Sequence, residues 1–233
     1  FAGSMDADER YYADSSRTGT PPPVDLHVYA GWNALAAKAL FRASAQWNRP
    51  GLAGLALAAL AYIRDRLRDD GAVLRNESGV YGLLDEQAHV AEAFALAAQW
   101  TGDAAWLETA ERVLGFAESL RLDQGGFRDA PAGGVGLLRE VRRPLPGNAA
   151  LGEAAWRVGV LTENPRWQDL AVTALDGAER EAARYGFMAT PAAALAERLK
   201  QKAVLVKVKD NDTIFRAAWC DPDPALLVRK VSE

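Results

Sequence analysis

A motif that occurs three times constrains the fold of this chain more than any other feature of its sequence. The segments WNALAAKALF (from Trp32), EQAHVAEAFA (from Glu86) and GNAALGEAAW (from Gly147) align without gaps. Their starting positions are almost evenly spaced along the chain. Repetition at a nearly constant period indicates an array of one supersecondary unit. The alignment places three amides in one column, namely Asn33, Gln87 and Asn148.

The residues after each motif repeat in the same register. Short turn sequences, WNRPG, TGDAA and TENPR, are followed by apolar residues spaced four apart, as in Leu52, Ala56 and Leu60. Apolar residues at this spacing lie on one face of a helix, and glycine, asparagine, aspartate and proline favour turns. Each unit is therefore predicted to be a helical hairpin. The three hairpins cover residues 30–68, 85–121 and 148–184.

The connections at the two ends of the hairpins differ in length. The turns inside the hairpins are short, whereas residues 69–84 and 122–147 form long, glycine-containing connections between hairpins. Long loops on one face of a regular framework commonly carry the functional residues. The period exceeds the ~34 residues of a tetratricopeptide unit, and the excess lies in these loops. This favours a ring of hairpins over a simple solenoid, so we predict an all-α fold, a partial α/α toroid.

Two different segments flank the repeats, which lie within residues 30–199. Residues 1–29 are predicted to be an extended lead-in, and the start at Phe1 indicates a piece of a longer chain. Residues 200–233 contain the sequence KAVLVKVK, whose β-branched residues favour a strand. We therefore expect a small C-terminal α/β appendage on the helical repeats.

Charge and composition narrow the function classes. The net charge of −4 disfavours nucleic acid as a partner, because phosphate binding requires a basic surface. No apolar run reaches the roughly 18 residues of a membrane span, so no membrane partner is predicted. The single cysteine is typical of a reducing, cytoplasmic location. Two histidines without a metal-binding motif, and the lack of a phosphate-binding loop, predict neither a metal nor a cofactor.

The amide column lies at the start of the first helix of each hairpin, beside the long loops. Amides donate and accept hydrogen bonds without titrating, so they suit both sugar hydroxyls and backbone groups. One hypothesis is that the three amides cap helices or bridge hairpins. The other is that they contact a ligand, on which nearby aromatic rings would stack. The predicted ligand-binding residues are Trp32, Asn33, Gln87, Asn148 and Phe127.

Three ionisable residues begin the first helix of the central hairpin. Asp85 and Glu86 occupy its first turn, where the helix dipole favours anions, and His89 follows one turn later. Carboxylates facing each other across a cleft perform acid and base catalysis on sugars, and a histidine in an apolar column suits a base. These three are therefore the predicted catalytic residues. The alternatives are carboxylates that only complement the dipole, and a hydrogen-bonded core histidine.

Several segments taken together resemble one family. WNAL after a proline-rich segment, LLDEQAHVAEAF, TGDAAWLETA, GGF and LPGNAAL are similar, in the same order, to the thioredoxin-domain-containing proteins related to spermatogenesis-associated protein 20. The resemblance implies a thioredoxin-like domain in the parent chain, followed by an α/α toroid similar to six-hairpin glycosidases and N-acylglucosamine 2-epimerases. The matching positions are Trp32-Asn33, Asp85-Glu86 and Gly147-Asn148.

These observations lead to two functional hypotheses. The first is a carbohydrate-active or carbohydrate-binding α/α-barrel region, glycosidase-like or epimerase-like if it is an enzyme. The second is a non-catalytic interaction scaffold, or a structural portion of a larger chain, whose partner is the thioredoxin-like domain or another protein. The placement of Glu86 and the amide column distinguishes them, because only a ligand site requires these groups to line an open cleft.

Overall fold

The computed structural model of the chain describes Tyr11, residues 25–133 and residues 139–231. Most of the predicted lead-in, residues 1–29, lies outside this range. No helix of the described segments is both long enough and apolar enough to cross a membrane.

Three helical hairpins follow one another along the described chain. They are α1 (Ala30–Trp47) with α2 (Pro50–Arg64), α3 (Leu84–Thr101) with α4 (Ala104–Ala117), and α5 (Leu145–Thr162) with α6 (Pro165–Tyr185). Two short 3-10 helices follow α4 and α6, and they are Glu118–Leu120 and Gly186–Ala189. A shorter α-helix, α7 (Thr190–Lys200), follows the three hairpins.

The hairpin turns consist of residues that end one helix and start the next. The residues directly after α1 and α5 are Asn48 and Glu163, with left-handed φ angles of 52° and 55°, and α3 is followed by Gly102, with a φ of 77°. A left-handed residue stops a helix and reverses the chain. Helix α4 then begins with a side-chain cap, because Asp103 accepts a hydrogen bond from the Ala105 N–H at 2.9 Å.

The hairpins form two layers of helices. Helices α1, α3 and α5 pack side by side as an inner row, and each second helix packs against the first helix of its own hairpin. The layers approach closely because Ala56, Ala110 and Ala171, one from each repeat, are completely buried. Trp106 and Trp167 at the starts of α4 and α6 are also buried. The repeat in the sequence therefore corresponds to a repeat in packing.

The C-terminal segment is a small βαβ unit. It consists of β1 (Val204–Val208), α8 (Asp212–Trp219) and β2 (Leu226–Lys230), and its two strands pair in parallel. Gln99 of α3 donates to the carbonyl oxygen of Val228 at 2.6 Å, and the ring of Trp100 contacts those of Phe215 and Trp219. The predicted α/β appendage is thus present, and it covers the C-terminal end of α3, away from the long loops.

Charged side chains join the inner helices. Lys38 of α1 pairs with Glu92 of α3 at 2.5 Å, and Arg157 of α5 lies 3.6 Å from the same carboxylate. Burial opposes ionisation of Glu92, yet these two cations hold its pKa below the ordinary value. On α7, Arg198 pairs with Glu153 at 2.6 Å. Lys38, Glu92 and Arg157 line a cavity of about 420 Å³ beneath the C-terminal unit.

Candidate functional site

The starts of the inner helices lie beside the long loops, and two of these loops are attached in the same way. The Ala30 N–H donates to the carbonyl oxygen of Arg75, and the Leu84 N–H donates to that of Asp129, both at 2.9 Å. The two donors, Ala30 and Leu84, occupy equivalent positions in the first two repeats, and so do the two acceptors, Arg75 and Asp129. The loops therefore belong to the repeat, and each satisfies an N–H that the first turn of a helix leaves unpaired.

Gln87 holds the first of these loops. It is completely buried, its Oε1 accepts the Val73 N–H at 2.6 Å, and its Nε2 donates to the carbonyl oxygens of Gly71 at 3.2 Å and Val113 at 3.0 Å. Both polar atoms of the amide are therefore occupied by backbone.

Asn148 holds the second loop. It is also completely buried, its Oδ1 accepts the Phe127 N–H at 2.8 Å, and its Nδ2 donates to the carbonyl oxygens of Phe127 and Pro144, both at 2.9 Å. Gln87 and Asn148 thus bridge neighbouring hairpins, which was one of the two hypotheses for the amide column. Their burial corrects the prediction that they contact a ligand.

Asn33 has a simpler arrangement. Its Nδ2 donates to the carbonyl oxygen of Tyr29 at 2.8 Å, four residues earlier, in the way that Asn148 donates to Pro144. Asn33 is half-buried and does not line the cleft described below. Its contact with a ligand stays a prediction.

A cleft of about 380 Å³ opens on the long-loop face, beside the starts of α1 and α3. Six residues with polar or aromatic side chains line it, and they are Trp32, Arg75, Asp85, Glu86, His89 and Asp129. Four of these six were predicted from the sequence. Among the described residues, no three His, Cys, Asp or Glu side chains are grouped closely enough to hold a metal ion.

Glu86 is the buried carboxylate of the cleft. Only 7% of the residue is exposed, and its carboxylate accepts a hydrogen bond from the Gly31 N–H in the first turn of α1. Burial raises the pKa of Glu86 above the ordinary value, against the opposing effects of the Gly31 N–H and the positive charge of Arg75. A carboxyl group with a raised pKa is suited to hold a proton and to donate it.

Asp85 is the exposed carboxylate of the cleft, and it lies against the other neighbouring hairpin. A Cβ atom placed on Gly147, in the first turn of α5, would lie 2.5 Å from Asp85 Oδ1. Glycine at this position therefore leaves room for the carboxylate, where the helix dipole favours negative charge. Glu86 reaches back to α1 while Asp85 reaches forward to α5.

His89 lies one turn beyond Glu86 on α3 and also lines the cleft. Its Nδ1 is buried and has no hydrogen-bond partner among the described residues, so this nitrogen gives no support to the alternative of a hydrogen-bonded core histidine. Burial and the positive charge of Lys38 lower the pKa of His89. The neutral imidazole is therefore favoured, and this is the form that accepts a proton.

The two predicted aromatic ligand contacts have different surroundings. Trp32 is 66% exposed at the edge of the cleft, and its ring centroid lies 4.6 Å from that of Tyr29. Phe127, by contrast, is completely buried in the hydrophobic core. Because Asn148 binds its N–H and carbonyl oxygen, the backbone rather than the ring faces the hairpin junction. This corrects the prediction that Phe127 contacts a ligand.

Two residues of the cleft, Arg75 and Asp129, were not among the predicted site residues. Each lies two positions after a loop residue whose backbone an amide side chain binds. Arg75 follows Val73, which Gln87 binds, and Asp129 follows Phe127, which Asn148 binds. The sequence contained a signal for them, because the shift that aligns the helices of the first two repeats also aligns these loop positions.

Comparison with known proteins bears on the fold. No protein-family model and no curated protein matches the sequence. A solved structure of a GH76 α-mannanase from Bacteroides thetaiotaomicron, a selenomethionine derivative, is similar with a TM-score of 0.61 at 14% sequence identity. The match covers 86% of this chain and 58% of the mannanase, so the chain spans little more than half of that protein's length. The predicted fold, a partial α/α toroid of helical hairpins with a C-terminal α/β appendage, is confirmed.

Proposed function

We propose that this chain is a carbohydrate-active or carbohydrate-binding α/α-barrel region, and that it binds a sugar in the cleft around Glu86. The observation that carries the proposal is a buried glutamate of raised pKa beside an exposed carboxylate, Asp85, in one open cleft. Sites that cleave or epimerise sugars need one group that retains a proton and another that removes one. Glu86, the buried carboxylate, suits the group that retains a proton, and Asp85, the exposed one, suits the group that removes a proton.

The roles follow from the surroundings of each group. In a glycosidase-like reaction, Glu86 would protonate the leaving oxygen, and Asp85 or Asp129 would act as nucleophile or activate a water molecule. In an epimerase-like reaction, neutral His89 would remove a proton and Glu86 would supply one. All four residues line the same cleft.

Two further observations support a sugar as the ligand. Trp32 presents a largely exposed ring at the edge of the cleft, and an aromatic face offers an apolar platform beside polar groups. One solved structure with a similar fold is that of an α-mannanase. Its chemistry belongs to the class proposed for this chain.

Thermal-shift measurements with a panel of mono- and oligosaccharides, mannose and mannan oligosaccharides included, test the proposal. The informative variant is Glu86→Gln, since glutamine keeps an acceptor for the Gly31 N–H. The matched control is Glu108→Gln, which removes the same charge from an exposed position on α4. We expect at least one sugar to raise the melting temperature of the wild type and the control equally, and to raise that of Glu86→Gln less. No shift with any sugar, or equal shifts in all three proteins, would contradict the proposal.

One observation favours the alternative, an interaction scaffold within a larger chain. Helix α2 carries no charged residue from Pro50 to Ile63, yet Leu55 on it is 61% exposed and the nearby Trp47 is 66% exposed. Such a surface suits contact with another domain, such as the thioredoxin-like domain that the sequence resemblance implies. This alternative predicts no shift with any sugar. It also predicts that Leu55→Lys weakens association with that domain and leaves the melting temperature of the chain itself unchanged.

A further inference from the structure

We infer that the sugar bound in the Glu86 cleft carries a carboxylate, as a hexuronic acid does, and that Arg75 recognises it. This inference rests on the proposed function and names the class of sugar. It depends on the placement of one guanidinium group, which the proposed catalytic roles do not use.

Arg75 is a half-buried cation that lines the cleft. Within the described part of the chain, its guanidinium has no carboxylate at ion-pair distance, and it lies near the ring of Tyr29, with 5.3 Å between ring centroid and guanidinium carbon. Two other arginines near this face are paired, Arg142 with Glu140 at 3.3 Å and Arg184 with Glu181 at 3.1 Å. Arg143, which does not line the cleft, has no hydrogen-bond partner for its buried Nε among the described residues. Partial burial without an anionic partner is unfavourable for a charge, so an anion supplied by a ligand would stabilise Arg75.

The backbone at Arg75 is held firmly enough to present the side chain at a fixed place. Its N–H donates to the carbonyl oxygen of Val80 at 2.8 Å, and its own carbonyl oxygen accepts the Ala30 N–H at 2.9 Å. Two residues earlier, Gln87 holds the Val73 N–H at 2.6 Å. These attachments order the loop before a ligand arrives, which lowers the entropic cost of recognition.

The chemistry of the guanidinium selects the group that it binds. Its planar array of N–H donors matches the two oxygens of a carboxylate, and such bidentate bonds are strong and directional. Neutral hydroxyls at the same position would offer the guanidinium no negative charge. Arg75 and Trp32 line the same cleft, so a sugar ring on the tryptophan could direct a ring carboxylate to Arg75.

The other charges of the cleft determine where the carboxylate is placed. Asp85 and Asp129 repel an anion, while Arg75 attracts it, so the ligand carboxylate is expected at Arg75 and away from the two aspartates. Arg75 is close enough to Glu86 to influence its ionisation electrostatically. A carboxylate bound to Arg75 would offset that influence and favour the protonated form of Glu86, the form that a general acid requires.

Binding measurements with matched sugar pairs test this inference. Isothermal titration calorimetry compares glucuronic acid with glucose and galacturonic acid with galactose, at low and high salt. Glucose 6-phosphate serves as a third arm, because a phosphate is also an anion that arginine binds. We expect one uronic acid to bind about 10- to 100-fold more tightly than its neutral partner, as charge-assisted hydrogen bonds would give. We also expect this preference to decrease with salt.

Two arginine variants identify the residue responsible. Arg75→Gln removes the cation, and the backbone bonds of residue 75 do not involve its side chain. Arg66→Gln is the matched control, because Arg66 also lies over a tyrosine ring, that of Tyr62 at 3.5 Å, but does not line the cleft. The preference for the uronic acid should disappear in Arg75→Gln and persist in Arg66→Gln. Equal melting temperatures without ligand establish that both variants are folded.

The failures of the two proposals are distinguishable. If neutral sugars bind as tightly as uronic acids, or if Arg75→Gln keeps the preference, the inference about Arg75 is wrong and the sugar site stands. If glucose 6-phosphate binds more tightly than every uronic acid, the recognised anion is a phosphate and the inference is also wrong. If no sugar of any kind binds, both the inference and the proposed function are wrong.

Discussion

The carboxylate of Glu86 accepts a hydrogen bond from the backbone N–H of Gly31, which belongs to the neighbouring hairpin. This bond joins the start of α3 to the start of α1, and it satisfies an N–H that the first turn of a helix cannot satisfy itself. A Cβ atom on residue 31 would meet the end of this side chain, so any larger residue there would require the carboxylate to move. One contact therefore links two hairpins and fixes a candidate acid at the edge of a cleft.

Replacing Gly31 by alanine should break this arrangement. Alanine normally stabilises a helix relative to glycine by up to about 1 kcal/mol. At this position the added methyl group would displace the carboxylate, and a lost hydrogen bond to a charged group costs about 1.5–3 kcal/mol. We expect Gly31→Ala to lower the free energy of unfolding by about 1–2 kcal/mol, measured by urea denaturation. The control is Gly54→Ala on α2, where a Cβ meets no atom within 4 Å, and it should gain stability. A gain of equal size in both variants would show that the contact is unimportant.

The raised pKa of Glu86 predicts a pH dependence of stability. Because the folded pKa lies above the unfolded value of about 4.3, the folded state binds more protons between the two values. The stabilisation that the bound proton provides is therefore lost as the pH rises through the folded pKa. Each unit by which the folded pKa exceeds the unfolded pKa corresponds to about 1.4 kcal/mol in the free energy of unfolding.

The Glu86→Gln variant measures this contribution, since glutamine does not titrate. The stability of the variant relative to the wild type, measured as the difference between their free energies of unfolding, should be greater at pH 7.5 than at pH 4. Urea denaturation across this range gives the difference, and Glu108→Gln on the exposed side of α4 controls for the loss of one charge. A relative stability of Glu86→Gln that is constant, or that falls with rising pH, would contradict a raised pKa.

Loss of the Gln87 side chain should release one loop and leave the other in place. In Gln87→Ala the buried Val73 N–H loses its acceptor and two carbonyl oxygens lose a donor, so we expect a destabilisation of about 2–4 kcal/mol. Hydrogen exchange at Val73 should accelerate far more than exchange at Phe127, which Asn148 holds. The control Gln46→Ala, at an exposed position of α1, should change neither of these exchange rates. Equal acceleration at Val73 and Phe127 would indicate general unfolding rather than release of one loop.

The helical part of the site was predictable because a helix fixes its side chains by register. Once the repeats are aligned, Asp85, Glu86 and His89 fall at the start of one inner helix, and the structure brings all three to one cleft. The repeated apolar positions were likewise sufficient to predict the hairpins, since the spacing of buried residues is a local property of the helix.

The loop part was not predictable in the same way, because the path of a loop depends on contacts far away in the sequence. Arg75 reaches the cleft because Gln87 and the Ala30 N–H hold its loop. Phe127 lies in a glycine-rich loop and was predicted to contact a ligand, but Asn148 binds its backbone and the ring is buried in the core. A side chain's direction in a loop follows from such bonds and not from spacing.

The charged cluster of the inner helices leads to a prediction about stability. Glu92 faces Lys38 at 2.5 Å and Arg157 at 3.6 Å, and its side chain is only 14% exposed. Removing the carboxylate would leave two cations close together in a largely buried place, which typically costs about 3–5 kcal/mol. We therefore expect Glu92→Gln to lower the free energy of unfolding by that amount at pH 7. The folded pKa of Glu92 lies below the ordinary value. The destabilisation caused by Glu92→Gln should therefore have its full size above about pH 4.3, and it should become smaller as the pH falls through the folded pKa.

Glu118→Gln is the matched control for this experiment, since Glu118 also joins two hairpins through an arginine, Arg166, at 3.1 Å. The arginine of that pair is 54% exposed, and an exposed pair contributes only about 0–1 kcal/mol. Urea denaturation of both variants should therefore show a several-fold larger loss for Glu92→Gln. Equal losses would mean that water reaches the Glu92 cluster freely. The cavity of about 420 Å³ that this cluster lines would then be solvated space beneath the C-terminal unit, and the ion pairs would not be what holds the inner helices together.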